Sequence, residues 1–200
     1  MTYPDFFDQV EPIQLEDPLS NFLGAFEEGL MEITYLDCVK LAGHSCPTVA
    51  GAYLMAKKGL AALYGNELPR RGSIRVSLHE NEADGVTGVI GNVIAFIAGA
   101  NGIGGFKGIG GHFARNNLLH YDVPMEGEVT LTRTDTNHSV TLNYNPSIIP
   151  ADPAMQPLMG KSLQGLASAG ERKKFGQLWQ ARVEKILLSA ALWDQMITIK

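Results

Sequence analysis

The segment from residue 85 to residue 106 contains no charged side chain, although charged residues make up 18% of the 200-residue chain. It is long enough to span a bilayer, but it contains seven glycines and its continuous apolar part is shorter than a span. Gly85, Gly88 and Gly91 recur every three residues, which places them close together on a helix. We therefore expect residues 85–97 to form a helix that is buried in a core.

Two more helices are predicted before this segment. Apolar residues at helical spacing predict a helix over residues 20–41, with Ser20 as its N-cap and Gly43 just beyond its end. Pro47 suits the first turn of the next helix, because that position needs no backbone N–H partner. This second helix should end before Gly65, a typical C-cap residue.

The second half of the chain mixes strand and helix patterns. Residues 73–79 alternate apolar and polar side chains, which predicts a strand. Residues 127–146 contain two such runs around a turn at 135–137, which predicts a β-hairpin. Helical periodicity returns over residues 158–168 and 171–193. The predicted fold class is α+β, with an antiparallel sheet packed by helices.

Charge divides the chain unevenly. We expect a loosely structured acidic arm over residues 1–19, an α+β core over residues 20–150 and a helical C-terminal extension over residues 151–200. Nine acidic residues and no Lys or Arg precede Lys40, whereas residues 161–200 hold seven basic and three acidic residues. These regions are either two solvated faces, or an acidic arm that lies near the basic helix within one chain or across a dimer.

The overall composition narrows the function classes. The net charge of −5 and the pI near 5.5 argue against a nucleic-acid partner. The N-terminus lacks the basic and apolar runs of a secretory signal, and Cys38 and Cys46 are too few for a disulfide framework. We therefore predict a cytoplasmic protein with a small-molecule substrate or a metal as its partner and no membrane partner.

His44 and Cys46 lie two positions apart directly before the predicted helix at Pro47. Free N–H groups and the helix dipole at that point favour a thiolate, which is both the nucleophilic and the metal-binding form of cysteine. His44 could complete a chelate or act as a base. The alternative is a helix-capping Cys46 with an incidental histidine. Cys38 is predicted to be a small core residue.

Two further histidines are candidate partners for this pair. His79 ends the predicted strand and is followed by Glu80, Glu82 and Asp84, and His112 ends the glycine-rich stretch. Cysteine and histidine together favour zinc, iron or nickel. The acidic residues could instead form a polar turn with Asp84 as the N-cap of the next helix.

Residues 99–111 contain seven glycines and predict a turn-rich loop. The spacing does not match a dinucleotide fingerprint, because Lys107 stands where the third glycine is needed, and no P-loop lysine follows. The backbone around Gly104 and Gly105 could still bind an anionic cofactor beside Lys107.

The stretch "AGHSCPTVAG" at residues 42–51 resembles the H-G-H-x-C-P-G signature of the FmdE family, which takes its name from a component of formylmethanofuran dehydrogenase. It keeps Gly43, His44, Cys46 and Pro47. Ala42 replaces the first histidine of the signature and Thr48 its last glycine.

The resemblance extends over about residues 20–145. Asp84 and the following helix resemble the family's acidic strand end and Asp-containing helix. "AGANGIGGFKG" resembles its cysteine-containing turn, with Ala100 in place of the cysteine, and "GGHFARNNLL" resembles its last segment.

The resemblance implies an α+β core, an intertwined homodimer, and a metal or active site in a cavity near Cys46 and His44. It also implies a link to the molybdenum or tungsten redox enzymes of one-carbon metabolism and methanogenesis. Some members carry a C-terminal treble-clef zinc finger, which this chain lacks because no cysteine follows Cys46.

Three functional hypotheses follow. The first is an FmdE-like protein that binds a transition metal, zinc before iron or nickel, at His44, Cys46 and either His79 or His112. As an enzyme, it would use Glu80 or Asp84 to move protons. The second is a non-catalytic metal-binding accessory or sensor protein. The third is a metal-free thiol enzyme in which His44 activates Cys46.

Overall fold

The computed structural model describes residues 2–200 and has the mixed α+β fold expected from the sequence. The strands are β1 (Ile13–Glu16), β2 (Leu30–Ile33), β3 (Ile74–Leu78), β4 (Leu119–His120), β5 (Val129–Arg133), β6 (Ser139–Tyr144) and β7 (Ile197–Ile199). The α-helices are α1 (Pro18–Phe22), α2 (Tyr35–Ala42), α3 (Pro47–Tyr64), α4 (Thr87–Ala98), α5 (Met155–Leu163), α6 (Ala169–Leu188) and α7 (Trp193–Met196).

Five strands form the main sheet in the order β4-β3-β5-β6-β7, and β1 pairs with β2 in a separate two-stranded sheet. The main sheet is antiparallel except where β3 pairs with β4. Val76 lies opposite Leu131, and Leu131 lies opposite Val140, so that apolar side chains of three strands share one face. This face is buried, which confirms the predicted strand and hairpin.

Helix α3 packs on that face and also contacts α2, α4 and α6. It begins and ends where Pro47 and Gly65 predict. Glycines bring it close to the sheet, because a Cβ at Gly51 would collide with the Tyr144 ring and one at Gly59 would crowd Leu131. The central helix is therefore fixed both by local end signals and by small residues on its sheet-facing side.

The prediction of a single helix over residues 20–41 is wrong. Asp17, not Ser20, caps the short helix α1, which ends after Phe22, and β2 then intervenes before α2. Gly24 and Gly29 adopt positive φ angles that break a helix, and Thr34 starts α2 with a capping box. The end of α2 at Gly43 is confirmed.

The N-terminal segment is ordered rather than loosely structured. A 3₁₀ helix at Asp5–Gln9 buries Phe6 and Phe7, and β1 buries Ile13 and Leu15. Met1, where the predicted acidic arm begins, lies outside the described residues. Apolar side chains between the acidic ones thus anchor this segment to the core.

The acidic segment lies near the basic C-terminal helix, as one of the two alternatives expected, because the 3₁₀ helix at Asp5–Gln9 contacts α6, but no ion pair joins them among residues 2–200. Its carboxylates instead form ion pairs with residues of the core: Glu11 with Lys57, Glu16 with Arg70, and Asp17 with Arg71 and Arg115. The C-terminal region packs on the core through α6 and adds β7 to the edge of the main sheet.

Helix α4 confirms that the charge-free segment is a core helix. Its buried residues include Ile90, Val93, Ile94 and Ile97. The sequence suggested that the Asp84 side chain caps this helix, but that side chain makes no capping hydrogen bond. The Asp84 carbonyl instead accepts a hydrogen bond from the Thr87 N–H at 3.0 Å. Among residues 2–200, no helix combines the length and the apolarity that crossing a membrane requires.

Candidate ligand-binding site

The His44–Cys46 turn links α2 to α3. Cys46 is the N-cap of α3, and its Sγ accepts a hydrogen bond from the Val49 N–H at 3.4 Å. Only 8% of Cys46 is exposed. His44 is exposed, and its Nδ1 lies 2.9 Å from the Ala42 carbonyl oxygen. The structure therefore gives Cys46 the capping role that was the alternative to a chemical one.

Helix α6 covers this turn. The Trp179 Nε1–H donates to the Ser45 carbonyl at 2.9 Å, and the Ser45 hydroxyl donates to Gln180 Oε1 at 2.9 Å. The Tyr35 hydroxyl lies 3.0 Å from the Ser45 hydroxyl on the other side. The polar groups beside Cys46 are thus engaged in hydrogen bonds that attach α6 to the core.

The other predicted ligands do not complete a metal site around this turn. His79 follows β3, is exposed, and lies 3.8 Å from the Glu80 carboxylate. His112 is exposed in the glycine-rich loop, and Asp84 is exposed before α4. Throughout residues 2–200, no three His, Cys, Asp or Glu side chains form a group that could hold a metal ion.

The glycine-rich region is a loop, as predicted, and Gly104, Gly105 and Lys107 lie outside the cavities described below. Gly104 and Lys107 are exposed. Gly105 packs against the Arg115 carbonyl and Asn116, where a Cβ would collide.

A cavity of about 710 Å³ lies where the ends of α2 and α4 meet the glycine-rich loop, and we name it the ligand cavity. Its volume lies within the range typical of small-molecule sites. Its main apolar lining residues are Leu41, Val89, Val93, Phe96, Ile103 and Leu119. Its main polar lining residues are Arg71, Glu82, Asn92, Asn101 and Tyr121.

Two residues of this lining each have a buried polar atom without a hydrogen-bond partner among residues 2–200: the Tyr121 hydroxyl and the Arg71 Nε. The Tyr121 hydroxyl lies against Gly91 of α4, where a Cβ would collide with it. Burial, and to a lesser extent the charge of Glu82, raises the pKa of Tyr121, so the hydroxyl stays protonated and can donate at neutral pH.

Arg71 is held in place by its other nitrogens. Its Nη1 donates to Asp17 Oδ2 at 2.9 Å, and its Nη2 donates to the Phe96 carbonyl near the C-terminus of α4, also at 2.9 Å. Asp17 also accepts from the buried Arg115 Nη2 at 2.5 Å. One carboxylate thus serves two guanidinium groups, and contacts within the protein fix the position of Arg71.

Burial alone would raise the pKa of Asp17. Hydrogen bonds from the Ser20 N–H and Arg71, together with the positive charges of Arg115 and Arg71, outweigh that effect and lower the pKa below its ordinary value. Asp17 is therefore ionised at neutral pH and holds both arginines.

Of the polar residues of this cavity, the sequence pattern singled out Glu82 but not Arg71, Asn92, Asn101 or Tyr121. Asp17 carried a usable signal, because Asp followed by Pro18 is typical of a helix N-cap. Arg71 and Tyr121 lie in no periodic segment, and their burial depends on residues far along the chain.

The chain matches no family model, no curated protein and no solved structure. The resemblance to the FmdE family therefore stays a prediction from the His44–Pro47 motif.

Proposed function

We propose that the protein binds a small organic acid in the ligand cavity, with the carboxylate accepting hydrogen bonds from Arg71 Nε and the Tyr121 hydroxyl. The observation that carries the proposal is that both donors are buried and unpaired within the described chain, and that their residues line one cavity. An unpaired buried donor costs about 1–3 kcal/mol, and a ligand that accepts from it recovers that cost.

The apolar and amide residues of the wall suit the same class of ligand, whereas the Glu82 carboxylate, which also lines the wall, disfavours an anion close to it. Val89, Phe96 and Leu119 offer apolar surface for a hydrocarbon portion, and Asn92 and Asn101 offer amide groups. Arg71 is already oriented by Asp17 and the Phe96 carbonyl, so that binding does not have to order its long side chain. This preorganisation favours a carboxylate over an uncharged group.

Calorimetric titration with benzoate and hexanoate, compared with benzamide and hexanamide, tests the proposal. The acids should bind more tightly than the matching amides. Tyr121→Phe should weaken benzoate binding about fivefold to tenfold, because it removes one hydrogen bond worth about 1 kcal/mol. Arg71→Ala is not the variant of choice, because it would also disturb the Asp17 cluster.

Filling the cavity provides the matched pair of variants. Val89→Trp places a large ring in the cavity and should abolish binding of both acids. Val86→Trp lies just before α4 at an exposed position outside the lining and should leave binding unchanged. Equal affinity for benzoate and benzamide, or undiminished binding by Val89→Trp, would contradict the proposal.

The residues present do not fit the transition-metal site predicted from the sequence. Cys46 Sγ caps α3, His44 is exposed, and the described part of the chain supplies no group of three ligands. A protein zinc site takes three or four protein ligands. We therefore assign no step to a metal ion.

A cytoplasmic location and a homodimer remain part of the proposal. Cys38 and Cys46 are both free and buried, as suits a reducing compartment. The chain from α1 to β2 exposes an apolar surface formed by Phe22, Leu23, Phe26 and Leu30. A second copy of the chain would bury this surface.

A further inference from the structure

A second cavity, of about 280 Å³, shares Arg71 with the ligand cavity. We name it the arginine cavity, because Arg70, Arg71 and Arg115 all line it, and His112 and Ser73 also contribute to its wall. Its lining, as far as residues 2–200 form it, contains no carboxylate. Three guanidinium groups around so small a volume are unusual unless a negative charge balances them.

The neighbouring carboxylates do not balance this charge. Glu16 lies 3.5 Å from Arg70, and Asp17 pairs with both Arg71 and Arg115. Two carboxylates thus face three guanidinium groups that stay charged at any physiological pH. The cluster therefore keeps one positive charge in excess.

Arg115 is the buried member of this cluster. Its side chain is only 7% exposed, yet its Nη1 has no hydrogen-bond partner in the described chain. Its guanidinium lies against Gly72 and Gly99, where any Cβ would collide with it. A buried guanidinium that is not fully hydrogen-bonded is costly.

We infer that the arginine cavity binds a phosphate group, held by Arg70, Arg115 and His112. Phosphate oxygens match the planar fork of donors that arginine presents. The site differs from the ligand cavity in its donors, so it stands independently of the proposed organic acid. The group can be a free phosphate ion or the end of a phosphomonoester, since both present the same oxygens.

Calorimetric titration of the full-length protein with inorganic phosphate, at constant ionic strength in chloride, tests the inference. The wild type should bind one phosphate saturably. Arg70→Gln and His112→Ala, both at exposed positions, should each raise the dissociation constant about tenfold by removing one donor. Lys107→Gln is the matched control, because Lys107 is an exposed cation in the same loop as His112 but lies outside the arginine cavity. This variant should bind phosphate with the dissociation constant of the wild type.

Methyl phosphate distinguishes the two sources. Binding at least as tight as that of inorganic phosphate assigns the site to a phosphomonoester, and binding of inorganic phosphate alone assigns it to the free ion. Val89→Trp should keep its phosphate affinity, which separates this site from the ligand cavity. The inference is overturned if neither compound binds saturably, or if Lys107→Gln weakens binding as much as Arg70→Gln does.

Discussion

The Asp17 carboxylate and the Arg115 guanidinium, 98 positions apart in the chain, form a buried ion pair with an Oδ1–Nη2 distance of 2.5 Å. Arg71 joins them through the second carboxylate oxygen. This cluster ties the N-terminal segment to the end of α4 and to the loop before β4, and it lies between the two cavities. It therefore links the stability of the fold to the formation of both proposed sites.

Replacing Asp17 should destabilise the protein strongly. Asp17→Asn leaves two guanidinium groups without a carboxylate in a buried place, and the expected loss in the free energy of unfolding is about 3–5 kcal/mol. Urea denaturation measures it. Glu27→Gln, an exposed position in the same acidic region, should change stability by less than about 0.5 kcal/mol. Equal effects of the two substitutions would argue against the buried cluster.

Stability should depend on pH through the same carboxylate. The native-state pKa of Asp17 is lowered. Its contribution to the free energy of unfolding is therefore fully present above the unfolded-state pKa of about 3.9, and it is lost as the pH falls through the lower native-state pKa. Thermal unfolding at a series of pH values from neutral to strongly acidic measures this loss. Asp17→Asn should show a smaller decline than the wild type over the acidic range, and an unchanged decline would contradict the assignment.

Replacing two helix glycines by alanine should change the stability of the protein in opposite directions. Gly51→Ala forces the Tyr144 ring away from α3, and overpacking of this kind costs about 1–3 kcal/mol. Gly176→Ala in α6 meets no neighbouring atom and should stabilise the protein by about 0.5–1 kcal/mol through helix propensity. Chemical denaturation of the two variants compares them directly. Stabilisation by both would mean that Tyr144 does not pack on Gly51.

Elemental analysis should find no stoichiometric zinc, iron or nickel in the protein, including after reconstitution under reducing conditions. The reason is that Cys46 Sγ is used as a helix cap and no group of three ligands lies within residues 2–200. Cys46→Ser should keep the cap and the fold, because serine is a preferred N-cap residue. Near-stoichiometric metal in the wild type that disappears in Cys46→Ser would restore the metal hypothesis.

The exposed apolar surface next to α1 should mediate self-association. In sedimentation equilibrium, the wild type should have twice the 21.6 kDa mass of the chain. Combined Leu23→Glu and Phe26→Glu substitutions place charges on that surface and should give the mass of a single chain. Leu163→Glu, equally apolar and exposed but on α5, should leave the dimer intact. A monomeric wild type would refute the dimer.

Local signals explain which elements could be predicted. Pro47 and Gly65 bound α3, and the alternation of residues 127–146 gives the hairpin, because each signal acts within a few residues. The prediction of one helix over residues 20–41 is wrong because Gly24 and Gly29, with their positive φ angles, interrupt the helix that the apolar spacing indicates. The apolar residues that suggested it are largely exposed.

The candidate site depends on contacts that no local pattern contains. His44 and Cys46 form a motif because they are close in sequence. Arg71 and Tyr121 come from separate segments and meet only in the ligand cavity. The importance of Arg115 arises from its ion pair with Asp17, and that pairing exists only once the chain has folded.

A crystal soaked with 4-bromobenzoate gives the most direct test of the proposed ligand site, because bromine locates the bound molecule by its anomalous scattering. The expected result is one bromine peak in the ligand cavity, with the carboxylate within hydrogen-bonding distance of Arg71 Nε and the Tyr121 hydroxyl. An empty cavity at a saturating concentration, or a molecule bound only elsewhere, would contradict the proposed function.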